Sequence, residues 1–224
     1  MKITWLGQAG LLFETQGKTI IVDPYLSDSV AEIEPHNKRR IAVDERFLKV
    51  KPDIIVLTHN HLDHTDPETL KHYLSEESSV CVLASYNAWQ TVRKFGGLLN
   101  NYVMFNRHTS WMQDGIRFTA VKAEHSDNYA IGVIIEAEDK RYYITGDTLY
   151  NDEIFNDIKG NIDCVFIPVN GKGNNMNFAD GCRFCERIGA PVVPIHCGLF
   201  DSIDLNDFPY ENKIVPQFFK EIEL

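Results

Sequence analysis

The sequence predicts an α/β protein in which two mixed β-sheets pack together with helices on the outside. Three observations lead there. Short β-rich runs broken by turns fill the first quarter of the chain, strands and helices then alternate twice over, and no repeat or low-complexity linker interrupts them. At 224 residues the chain suits one domain, residues 1–224, with a sizeable core.

The elements follow in order. "KITWLG", "LLFET" and "KTIIVDP" read as three strands, the last two joined at Gln16-Gly17. "RFLKVKPDIIVLT" ends in an apolar run too short and too β-branched for a helix, so Ile54 to Leu57 read as a strand buried on both faces. Asp66-Pro67-Glu68 is a helix start: Asp66 can cap, Pro67 suits the first turn, and Glu68 favours the positive end of the dipole. A helix over 67–77 is expected. Strands "SVCVLAS" and "YVMFN" flank a helix near "NAWQTVRKF", and Asp114-Gly115 turns the hairpin "SWMQ-DG-IRFTAVKA". "AIGVIIEA" and "RYYITGD" pair across Glu138-Asp139-Lys140, before a short helix near 151–159. Strand "DCVFIPV", a helix over 178–188 stopped by Gly189, and "PVVPIHC" complete the chain.

Composition excludes several classes. Forty-four per cent apolar and 24% charged residues are globular values. A net charge of −10, with no basic stretch beyond "NKRR" at 37–40, disfavours a nucleic-acid partner. No run reaches membrane-spanning length and the start lacks a signal peptide's pattern, so a cytoplasmic address away from the membrane is expected. The five cysteines are odd in number and scattered, which suggests reduced thiols. Cys182 and Cys185 would lie on one face of the 178–188 helix with no second Cys or His pair near them, so packing is the reading there too.

"THNHLDHTDPETL", residues 58–70, places three of the eight histidines within six positions. It follows the strand "IIVLT". His125 follows "RFTAVKA", Asp147 follows "RYYIT", and His196 follows "PVVPI". Sites in sheets flanked by helices collect at the carboxyl ends of strands, so these residues can be neighbours in space. His59 and His61, two apart in an extended segment, project to one side and can hold a cation with His125. Asp63 and His64 point to a second position, which His196 could complete, and the two oxygens of Asp147 could bridge both metals. His36, His72 and His108 are assigned surface or packing roles.

Together, "T-H-N-H-L-D-H" at 58–64, His125, "T-G-D-T" at 145–148 and His196 resemble the metallo-β-lactamase superfamily and its H-x-H-x-D-H signature, over nearly the whole chain. The resemblance implies a four-layer αββα sandwich with two divalent metal ions at its edge. His59, His61 and His125 would hold the first, Asp63, His64 and His196 the second, and Asp147 both. Zinc leads, with manganese or iron(II) as alternatives for imidazole and carboxylate ligands; Cys197 is read as packing, since neighbouring strand residues face opposite ways. "WLGQAG", "IVDP", "GNNMNFADG" at 173–181 and "VVPIHCGLF" at 192–200 are most similar to the branch containing L-ascorbate-6-phosphate lactonase. Two departures are Gln8, where many relatives carry histidine, and a chain shorter than the ascorbate-specific enzymes.

The expected activity is therefore metal-assisted hydrolysis, lactonase-like, of a small phosphorylated or sugar-derived substrate. A water bridging the metals would be deprotonated near neutral pH. Asp63 is the candidate catalytic group, orienting that water or shuttling a proton. Asn170, Lys172 and Asn175, in the glycine-rich "VNGKGNNMN", are the candidate substrate contacts. Thioester hydrolase, phosphodiesterase and non-catalytic sensor are the alternatives, and the presence of all seven ligands favours an enzyme. The resemblance admits a homo-oligomer, but no heptad or single apolar face marks an interface.

Overall fold

The computed structural model describes residues 1–224. One sheet is built from β1 (Lys2–Gly7), β2 (Gly10–Thr15), β3 (Lys18–Val22), β4 (Ile54–Leu57), β5 (Cys81–Ala84) and β6 (Asn101–Met104), in that order. The other runs β12-β11-β10-β9-β8-β7: β7 is Ser110–Gln113, β8 Ile116–Lys122, β9 Ile131–Ala137, β10 Lys140–Ile144, β11 Cys164–Pro168 and β12 Val192–Ile195. Each sheet is mixed. β1 to β3 and β7 to β10 are antiparallel meanders, and each meander continues into parallel strands. The turn residues explain the meanders. Gln16-Gly17, Asp114-Gly115 and Glu138-Asp139 all have positive φ, the pattern that matches strand twist in two-residue hairpins. The third turn is shorter than the sequence suggested, because Lys140 already pairs with Ala137.

The two faces of β4 enter different cores. Ile54 and Val56 join the cluster between the sheets, while Ile55 and Leu57 pack with Leu70, Ala88 and Val92 on the outside of the first sheet. Strand alternation thus produces four layers. The inner layers meet at contacts such as Phe13 against Phe166, edge to face at 5.9 Å. The helices are α1 (Ser29–Ile33), α2 (Pro67–Leu70), α3 (Tyr86–Val92) and α4 (Phe178–Ile188). None is long and apolar enough to cross a membrane.

Asp66 caps α2 as expected, accepting from the backbone N–H of Glu68 and Thr69. The helix is shorter than the 67–77 expected. His72 and Tyr73 bond back three residues, to Thr69 and Leu70, and this tighter winding turns both Tyr73 and Leu74 into the core. The expected helix near 151–159 is likewise a 3-10 turn, Asp152–Asn156. α4 ends where predicted, at Gly189 with φ +72°.

Candidate metal centre

The strand ends deliver the site. β4 leads into His59, β8 into His125, β10 into Asp147 and β12 into His196, so residues far apart in sequence meet at one edge of the sandwich. Two groups form. His59, His61 and His125 present ring nitrogens within 4.8 Å of one another, and so do the nitrogens and carboxylate oxygen of Asp63, His64 and His196. His59 and His64, whose ring centroids are 4.0 Å apart, join the groups. Asp147 abuts the second, with Oδ1 3.3 Å from His64 Nε2 and Oδ2 3.3 Å from His196 Nε2.

These atoms suit a cation better than they suit one another. His64 Nε2 and His196 Nε2 stand 3.3 Å apart, and His196 Nε2 is 3.4 Å from Asp63 Oδ2. Nitrogen and oxygen donors about 2.0–2.1 Å from a tetrahedral ion stand roughly 3.3–3.4 Å from each other. Four atoms of the site are moreover buried without a hydrogen-bond partner: His59 Nε2, His125 Nε2, Asp147 Oδ1 and Asn175 Oδ1. Buried polar atoms are rarely left so. The donor set and its orphans both fit divalent metal.

Electrostatics separate the two groups. Burial pushes His59 well below the usual histidine range and His125 down to about 4, so both rings are neutral and have lone pairs to offer. In the second group burial opposes charge, but the carboxylates outweigh it: Asp147, Asp63 and Asp23 hold His64 well above the usual range, and Asp147 and Asp63 raise His196 to about 9. Burial likewise opposes the Asp147 carboxylate, yet His196 and His64 keep it well below the usual carboxylate range.

A second ring of residues fixes the rings. Asp23, fully buried after β3, lies 2.9 Å from His64 Nδ1 through Oδ2 and accepts from the Thr58 backbone N–H at 2.8 Å through Oδ1. The backbone N–H of Asp127 donates to His125 Nδ1 at 3.0 Å, and Asn170 Nδ2 lies 3.0 Å from His196 Nδ1. Gln8 donates to Asp63 Oδ2 at 2.9 Å, and its carbonyl accepts from the His196 backbone N–H. Gln8, Asp23 and His196 all have positive φ, at 49°, 43° and 69°. Left-handed backbone at three non-glycine residues around one group costs stability and is typical of functional sites.

The sequence model of the β-lactamase superfamily domain matches residues 2–196. The chain belongs to the metallo-β-lactamase superfamily. Within that superfamily it is a metal-dependent hydrolase. It is 31% identical over 219 residues to a UPF0173 metal-dependent hydrolase of Geobacillus thermodenitrificans, covering 91% of this chain and 88% of that one. Solved structures share the fold. The isothiocyanate hydrolase from Delia radicum gut bacteria superposes with a TM-score of 0.78 at 18% identity, over 100% of this chain and 99% of that one. A metallo hydrolase of Ignicoccus hospitalis gives 0.74 at 19%, over 98% and 96%.

For a metallo-β-lactamase chain, the seven residues singled out by sequence all converge, whereas His36, His72 and His108 lie exposed elsewhere. Asn170, Lys172 and Asn175 line the same cleft of about 380 Å³ as His61, Asp63 and Asp147. Two of the three are already engaged, Asn170 with His196 and Asn175 Nδ2 with Asp147 Oδ2 at 2.9 Å. Cys197 packs in the core as expected, though not by strand alternation: β12 ends at Ile195, and the left-handed His196 turns the chain. Cys182 and Cys185 are free thiols. Asp23 and Asp127 were not singled out. Asp23 had a readable signal, a carboxylate directly after an apolar strand and before proline.

Proposed function

We propose that residues 1–224 form one hydrolase domain with a dinuclear metal site, lactonase-like on a small molecule. His59, His61 and His125 hold one ion, Asp63, His64 and His196 the other, and Asp147 both. The observation that carries this reading is the pair of three-residue groups joined through His59 and His64, with Asp147 Oδ1, which makes no hydrogen bond, 3.3 Å from His64 Nε2. Zinc is the first choice of metal, and imidazole and carboxylate donors with no thiol among them suit manganese or iron(II) as well. Metal held by these residues would supply Lewis-acid chemistry, bringing the pKa of a bound water towards neutrality and polarising a carbonyl.

The chain's own residues do the rest. Hydroxide adds to the carbonyl carbon, the acyl C–O bond breaks, and the leaving alkoxide takes a proton. Asp63 is the group that relays that proton. It lines the cleft, and its contacts run through Oδ2, to Gln8 and His196. Asn175 and Asn170 hold Asp147 and His196 in register, and Gln8 orients Asp63.

The test is a panel of lactones, thioesters, phosphodiesters and, after its fold neighbour, isothiocyanates, assayed with wild type and Asp147→Ala. Lactone turnover lost on Asp147→Ala is expected. Turnover of another class alone would replace the lactonase reading, full metal loading without any turnover would favour a sensor, and activity undiminished by Asp147→Ala would remove the bridging role.

A further inference from the structure

Val30 and Ile33 of α1, Leu62 and Phe200 are the four apolar residues of the cleft lining, and Val30, Leu62 and Phe200 pack in one small cluster. Ile33 is 74% exposed at the mouth. A large apolar side chain left open beside a hydrolytic site is a surface that a substrate can cover. The cluster is also firmly built. Val30 packs with Tyr25 and Leu199 in a separate small core, the Phe200 ring meets Tyr25 edge to face at 5.6 Å, and the Val30 backbone N–H donates to Tyr25 Oη at 3.1 Å.

The rest of the lining is polar, and its donors are largely in use, although Asn175 Oδ1 is buried without a hydrogen-bond partner. Asn170 and Asn175 face His196 and Asp147, Asn174 donates to Ser126 Oγ at 2.9 Å, and Asn37 at the rim donates to Glu34 at 2.6 Å. Lys172 is the one Lys or Arg in the lining, and its Nζ lies 3.6 Å from Asp201 Oδ2. The Asp201 carboxylate is itself fixed by the backbone N–H groups of Gly198 and Ile203. With Glu34 also at the mouth, the cleft away from the metal ligands holds two carboxylates against one paired ammonium. A phosphate remote from the scissile bond would find no unpaired cation there, and recognition of such groups rests on charge-assisted contacts.

We infer that the substrate is an uncharged lactone or ester bearing an apolar group, which seats on Val30, Ile33, Leu62 and Phe200. Lys172 closes the loop onto Asp201 instead of anchoring an anion. The inference rests on the hydrolase reading above and narrows its substrate class to one without a remote phosphate.

The test compares metal-loaded wild type with Ile33→Asn and Lys172→Ala, using δ-lactones with alkyl tails of one to six carbons and a phosphorylated lactone. Ile33 is exposed, so its replacement leaves the core intact. In wild type kcat/KM is expected to rise about two- to fourfold per methylene until the apolar lining is covered. Ile33→Asn should flatten that rise. The phosphorylated lactone should be turned over at least tenfold more slowly than a neutral one of equal size, and Lys172→Ala should not change that ratio. A flat chain-length profile, or a phosphorylated preference lost in Lys172→Ala, would overturn the inference. If no lactone is hydrolysed, the lactonase reading fails while the inference is still read from binding: affinity for the matching alkyl lactams must climb with tail length in wild type and not in Ile33→Asn, and no climb overturns it.

Discussion

Asp23 Oδ2 lies 2.9 Å from His64 Nδ1, both side chains fully buried. The same carboxylate accepts from the backbone and hydroxyl of Thr58, one residue before His59. One group thus sets the ring of His64 and the start of the segment that carries three histidines. Its left-handed φ of 43° shows that the backbone bends to put it there.

Replacing Asp23 by asparagine keeps the shape but turns an acceptor toward His64 into a donor, which disfavours the ring tautomer with Nε2 free for metal. Outer partners of this kind are worth about 10- to 100-fold in metal affinity or activity. If the site is dinuclear as proposed, Asp23→Asn is expected to lose first the ion assigned to His64. Metal content of the purified variant, measured against chelator concentration, checks it; equal loss of both ions would assign Asp23 to the whole fold.

Proton release should accompany metal binding. Without metal, burial disfavours a charged His196, but Asp147 and Asp63 prevail and its pKa rises to about 9 from 6.5. A raised pKa gives stability that is complete below pH 6.5 and disappears as pH climbs through 9. Chelated protein is therefore expected to resist urea less at pH 9.5 than at pH 6, whereas loaded protein, whose His196 ring is neutral, should lack that decline. Titration calorimetry at pH 7.5 in buffers of different ionisation enthalpy should show protons leaving as metal enters.

The fold was largely legible because its signals are local. Gln16-Gly17 and Asp114-Gly115 announce hairpins through residues that accept positive φ, and Ile54 to Leu57 announce a strand buried on both faces by lacking polar alternation. The convergence of the candidate metal residues was legible for a related reason, since the segments that carry them follow strands. Less visible were properties set by tertiary contact. The end of α2 depends on Tyr73 and Leu74 both reaching the core, and the role of Asp23 depends on a ring 41 positions away. The engagement of Asn170 and Asn175 with His196 and Asp147 also needs coordinates, since a glycine-rich loop reads equally well as a substrate grip.

Gly146 separates β10 from Asp147 with φ +61°, and a Cβ there would stand 2.6 Å from the Ile131 carbonyl oxygen and 3.1 Å from Thr58 Cβ. Gly146→Ala therefore combines backbone strain with a clash against backbone that cannot move aside. A loss of about 1–3 kcal/mol in urea unfolding is expected, with weakened metal binding because Asp147 shifts. Stability within a few tenths of wild type would show that the turn relaxes freely.

The thiols should react unequally. Burial raises Cys81 to about 11 and Cys164, Cys185 and Cys197 to about 12, while Cys182 is only partly buried. Thiolate is the reactive form. Alkylation at pH 8 should modify Cys182 alone in native protein and all five cysteines in urea, read by mass spectrometry. Fast labelling of Cys197 would show that the chain after β12 opens.

The most direct measurement is anomalous diffraction from crystals grown with zinc. Two peaks are expected, one among His59, His61 and His125 and one among Asp63, His64 and His196, with the Asp147 carboxylate touching both. A single peak, or peaks away from these residues, would contradict a dinuclear centre.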